Sequence, residues 1–143
     1  MKYDDASWHY EGDFPDDLPP EAGATHIGMF LAWALLHGFA GEIHNEDFPE
    51  TLEQLRQRTI TPGEFLIRAC DEKFTDEDLS DEGNAFAGFY FGSPDQSVSY
   101  LDDYESTLGE KGKSLYYIAD TWQNYDRLAP VIQKRFDGWR AKA

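Results

Sequence analysis

From Ile27 to Leu36 the chain runs ten residues, IGMFLAWALL, without a charge or a hydrogen-bonding side chain apart from one indole. A helix that is apolar around its whole circumference belongs inside a protein, enclosed by other elements. Residues from about Ala24 to Gly38 are read as that helix, with Gly38 and Gly41 as its stop. A bilayer span needs about twenty such residues, and here Glu42 and Glu46 follow closely. A secretory signal would carry positive charge ahead of its apolar run, whereas Lys2 is followed by Asp4, Asp5, Glu11, Asp13, Asp16 and Asp17. The chain is therefore read as mature from its first residue.

Elsewhere apolar positions recur at helical intervals. Beyond a loop containing HNEDFPE, Leu52 and Leu55 form a narrow stripe on a helix from about Glu50 to Arg58. In TPGEFLIRACD, Thr61 is the N-cap, Pro62 takes the first helical position and Glu64 the third, which is a capping box. Thr75 and Asp78 repeat the device at the head of a short acidic helix, 76 to 82, and NAFAGFYFG follows as an aromatic helix. SPDQSVSY reads as a turn and YLDDYESTLG as a helix stopped by Gly109. From Leu115 to Trp139 the helical spacing persists, with Pro130 expected to divide it into a helix pair.

The first 23 residues, rich in Asp, Pro and Gly, read as an irregular arm. Trp8, Tyr10 and Phe14 argue that it lies across the body, because aromatics of this size normally pack against something. Alternating strand patterns are nearly absent, and no linker divides the chain. The expected fold is all-α: one compact multi-helix domain, residues 1–143, around a central apolar helix, with 1–23 as the arm.

A chain of 143 residues suits one domain and can bury roughly two thirds of its unfolded surface. Charge changes the picture more: 28 acids against 12 bases leave a net of −16. Residues 1–110 hold 25 acids and 5 bases, while residues 111–143 hold 3 acids and 7 bases. Such a field repels nucleic acid and anionic lipid and steers a basic partner inward. The single cysteine, Cys70, cannot form an internal disulfide and fits a reducing, cytoplasmic setting. It is read as an inert buried thiol, since no electropositive segment surrounds it.

Several residues invite a chemical reading. His26 and His37 lie eleven apart, about 16 Å along a helix, too far to share one ion; they are expected to bond to neighbours. Asp78, Ser80, Glu82 and Gly83 match the start of a calcium loop, but its twelfth position is Phe89 rather than a bidentate Glu. Asp4, Asp5 and His9, and the pair Asp102 and Asp103, would serve acid–base chemistry only if burial displaced their pKa values. GxSxG, HExxH, paired CxxC and a phosphate-cradling glycine loop are missing. No catalytic residue, metal or cofactor is assigned.

What remains is a surface. Asp76, Glu77, Asp78, Asp81 and Glu82, with Asp102 and Asp103, are expected to present carboxylates beside Tyr90, Tyr100 and Tyr104. Aromatic anchors inside a charged rim are the makings of a protein interface. The stretches YDDASWHYEGDFP, GATHIGMFLAWALLHG, CDEKFTDEDLSDEGNAFAGFYF, YLDDY and DTWQNYDRLAPVIQKRF resemble a family of small bacterial proteins, uncharacterised domains, over almost the entire chain. In size, acidity and lack of motifs the chain is also similar to immunity proteins that neutralise toxins passed between competing bacteria. The expectation is a cytoplasmic, non-catalytic protein that masks a basic surface on a toxin or effector. The alternative is a small enzyme or metal-dependent protein using His9, Asp4 and Asp5.

Overall fold

The computed structural model describes residues 1–91 and 98–142. Its least expected feature is that the start of the arm is regular, while residues 11–19 remain turns and irregular chain. Strand β1 (Lys2–Asp5) runs antiparallel to β2 (Lys73–Thr75), with Lys2 opposite Thr75, Asp4 opposite Phe74 and Asp5 opposite Lys73, and a bulge between Lys2 and Asp4. Helix α1 (Ala6–Tyr10) follows, with Asp5 as its N-cap accepting the Ser7 N–H at 2.9 Å. A 3-10 turn, Pro20–Ala24, then leads straight into α2 (Thr25–Leu36). The irregular-arm expectation is corrected on this point: strands of four and three residues are too short for alternation to register in a sequence.

The loop containing HNEDFPE holds a short helix of its own, α3 (Glu42–Glu46), ahead of α4 (Pro49–Arg56) and α5 (Pro62–Cys70). The capping box on α5 forms as read, with Thr61 accepting from the Glu64 N–H at 3.2 Å and Glu64 accepting from the Thr61 N–H at 2.9 Å. The expected acidic helix 76 to 82 divides in two. A 3-10 turn, Asp76–Asp78, ends at extended Leu79, and Ser80 then caps α6 (Asp81–Tyr90). The expected turn SPDQSVSY falls mostly outside the described residues; Ser99 at its end caps α7 (Tyr100–Leu108).

The last helix, α8 (Trp122–Ala141), is continuous through Pro130, so the expected helix pair is corrected to one helix. Pro130 lies on the exposed face. There it costs one backbone hydrogen bond, and water can take the freed carbonyl.

The molecule is a mainly helical single domain with α2 at its centre, every residue from Thr25 to Leu35 being buried. Helix α5 approaches α2 closely because Gly28 has no side chain; a Cβ there would collide with the Pro62 carbonyl. A Schellman motif ends α2: the Phe39 N–H donates to Ala34 at 2.9 Å and the Gly38 N–H to Leu35 at 3.3 Å, with Gly38 at φ +86°. Around Phe30 gather Phe74, Phe86, Tyr90, Phe91 and Tyr100. No helix among the described residues is long and apolar enough to cross a membrane.

Candidate functional site

Half of the residues expected at a partner-binding surface do face solvent. Asp76, Glu77, Asp81 and Glu82 are exposed on the 3-10 turn and the first turn of α6, and Asp102 is exposed on α7. Asp76 pairs with the Met1 amino group at 2.9 Å, and Glu82 lies 3.7 Å from Arg140. Carboxylates in a first helical turn are favoured there by the helix dipole.

The other half lies inside. Tyr90, Tyr100 and Tyr104 are buried, so the expected aromatic anchors belong to the core. The Tyr100 hydroxyl donates to the His26 carbonyl at 2.5 Å, tying α7 to α2. Tyr90 donates to Asp103, which also takes two hydrogen bonds from Arg135 and is buried as a result. Asp78 is likewise buried. A periodic pattern places an aromatic on a helix face but does not reveal whether a neighbouring helix covers that face, and here α8 and α2 cover it.

The arm brings together a cluster that sequence spacing only half revealed. Asp4 at the end of β1 and His9 on α1 meet, with His9 Nε2 2.8 Å from Asp4 Oδ1. His26, in the first turn of α2, completes the group, its Nε2 3.4 Å from Asp4 Oδ2. The rings of His9 and His26 pack edge to face, 4.5 Å between centroids. On its far side, His9 Nδ1 lies 2.6 Å from the Tyr116 hydroxyl, and Phe14 covers that tyrosine ring at 4.8 Å. Asp5 does not join, because it caps α1 and pairs with Lys2 at 2.8 Å.

Burial pushes the Asp4 carboxyl upward, but the imidazoles of His26 and His9 outweigh it and hold the group down at about 2. Burial lowers the His26 pKa, with Asp4 opposing, which keeps that ring neutral at neutral pH. His26 is fully buried, and neither of its ring nitrogens has a hydrogen-bond partner among the described residues. His37 behaves as an end-of-helix histidine, with Nδ1 donating to the Trp33 carbonyl at 2.7 Å, and shares nothing with His26. The spacing of His26 and His37 runs along the helix, whereas the neighbours of His26 come from the arm. The signal that was present is a lone imidazole at the edge of an otherwise apolar run; Tyr116 gave none.

A second cluster joins His44, Cys70 and Asp78. His44 Nε2 and the Cys70 thiol both donate to Asp78 Oδ1, at 2.8 and 3.5 Å, while Asp78 Oδ2 accepts the Thr75 N–H at 2.8 Å. A nucleophilic relay needs the base to use one ring nitrogen for the thiol and the other for the carboxylate. Here a single nitrogen faces both groups, and burial together with Asp78 pushes the thiol pKa well up. The arrangement is a cap on the 3-10 turn with its buried donors satisfied by one carboxylate. Asp78 is thereby committed to the cap, which also removes it from the calcium-loop pattern.

Residues 2–118 match a family described as "Domain of unknown function (DUF7832)". No curated protein and no solved structure matches the chain.

Proposed function

Because the chain belongs to the DUF7832 family of domains of unknown function, and membership brings no activity with it, we propose from its surface that it is a non-catalytic binding protein presenting carboxylates to a basic protein partner. One observation carries the reading: Asp76, Glu77, Asp81 and Glu82 stand exposed within seven consecutive residues, on a capped turn and a capped helix start. Held carboxylates of one sign raise the association rate with a basic surface. The partner that best fits this chemistry is a toxin or effector whose basic cleft the acidic face covers, met in the cytoplasm. The carboxylates, rather than tyrosine anchors, supply the recognition.

The test is to capture the partner from the native host and follow its association by stopped flow at several salt concentrations. Reversing Glu77, Asp81 and Glu82 to Lys is expected to slow association about tenfold at low salt and to flatten the salt dependence. Asp78 is left alone, since reversing a buried group would test folding instead. Unchanged association kinetics would remove this face from the interface. The alternative, a small enzyme or metal-dependent protein built on the arm, has one observation in its favour, the meeting of Asp4 and His9.

A further inference from the structure

We propose that Asp4, His9 and His26 form a binding site for one divalent transition-metal ion of the zinc type, held by a carboxylate oxygen and the two Nε2 atoms, with a fourth position open. The three side chains each offer a ligand atom within 4.8 Å of the others. A tetrahedral site with metal–ligand bonds of about 2.0–2.2 Å has ligand–ligand edges of about 3.3–3.6 Å. His26 Nε2 already lies at such a distance, 3.4 Å, from Asp4 Oδ2, whereas His9 Nε2 lies 2.8 Å from the other oxygen, Oδ1, so the carboxylate must turn to offer one oxygen to both rings.

An independent observation points the same way. A fully buried imidazole with both nitrogens unpartnered among the described residues is costly, and His26 is one whose Nε2 faces the cluster. A cation between His26, His9 and Asp4 would give that nitrogen a partner. His9 is partly exposed, which provides an entry path.

Tyr116 is the outer partner that metal-ligating histidines commonly have. His9 Nδ1 and the Tyr116 hydroxyl share a hydrogen bond, while His9 Nε2–H donates to the Asp4 carboxylate. With an ion on Nε2, the ring's N–H sits on Nδ1 and is donated to the Tyr116 oxygen, which fixes the ring in the ligating orientation. Imidazole and carboxylate donors suit zinc, cobalt and iron(II) better than magnesium or calcium.

The test is a titration of chelator-treated protein with cobalt(II), followed by visible absorption, with zinc(II) added afterwards as competitor. One equivalent is expected to bind with a ligand-field band of low-symmetry four- or five-coordinate cobalt, and zinc is expected to abolish the band. His9→Gln, at a partly exposed position, should weaken binding at least a hundredfold, Tyr116→Phe about tenfold, and His37→Gln not at all. Circular dichroism of each variant separates loss of the site from loss of the fold, and Asp4→Asn serves as second ligand variant should His9→Gln not fold. No stoichiometric uptake by the wild type, or uptake unaffected by His9→Gln in a folded variant, would overturn the site. Because none of these readouts involves a protein partner, failure here leaves the acidic face untouched, and the converse holds.

Discussion

The guanidinium of Arg135 on α8 grips both carboxylate oxygens of Asp103 on α7, Nε to Oδ2 at 2.9 Å and Nη2 to Oδ1 at 3.1 Å. Tyr90 from α6 closes on the same carboxylate at 2.5 Å. Three helices thus share one acid. Arg135→Met should cost roughly 1–3 kcal/mol, because it strands a buried carboxylate with one donor. Chemical denaturation measures it, and a double-mutant cycle with Asp103→Asn should show the two changes to be non-additive. A loss below about 0.5 kcal/mol would mean that the pair behaves as an ordinary surface ion pair.

Gly28 and Gly88 make a matched comparison. A methyl group at Gly28 meets the Pro62 backbone, while at Gly88 it meets nothing within 4 Å among the described residues. Gly28→Ala should destabilise by about 1–3 kcal/mol through overpacking. Gly88→Ala, on the exposed face of α6, should gain up to about 1 kcal/mol from helix propensity. Thermal denaturation of the two variants side by side decides whether contact between α2 and α5 is the reason for glycine.

Asp120 accepts the Thr61 hydroxyl at 2.5 Å and the Gly63 N–H at 3.0 Å, and burial raises its pKa despite those donors. A carboxyl raised on folding contributes most below its unfolded pKa, and that contribution is lost as pH rises through the folded value. Asp120→Asn keeps an acceptor for Gly63 and can donate to Thr61. The difference in Tm between variant and wild type should therefore move in the variant's favour as pH rises from about 4 upward. A difference that does not change with pH would show that the carboxyl is not titrating across that range.

Cys70 should be a poor nucleophile in the folded protein, since burial and Asp78 keep its thiol protonated. A disulfide reagent at neutral pH is expected to label it slowly in buffer and rapidly, to one equivalent, in guanidinium chloride. Fast labelling of the native state would contradict the closed network around Asp78.

The features legible in the sequence were those set by neighbours along the chain. The Thr61 capping box, the buried α2 and the stop at Gly38 all follow from a few consecutive residues. The features that the sequence leaves open depend on partners far away along the chain. Tyr90, Tyr100 and Tyr104 have helical spacing whether they face solvent or core, and only the packing of α2 and α8 decides. Pro130 carries a general cost to helices, but its exposed position makes that cost tolerable. The candidate site divides in the same way. Asp4 and His9 are five residues apart and so form a pattern along the chain, whereas His26 and Tyr116 reach them through the fold.

The pairing of β1 with β2 has a consequence for the order of assembly. A strand that opens at Lys2 must wait for a segment ending at Thr75 before it has anything to join. During synthesis, Asp4 and His9 therefore leave the ribosome well ahead of the strand that will fix them against His26. Whatever the trio of side chains does, it becomes competent only after the segment ending at Thr75 has emerged.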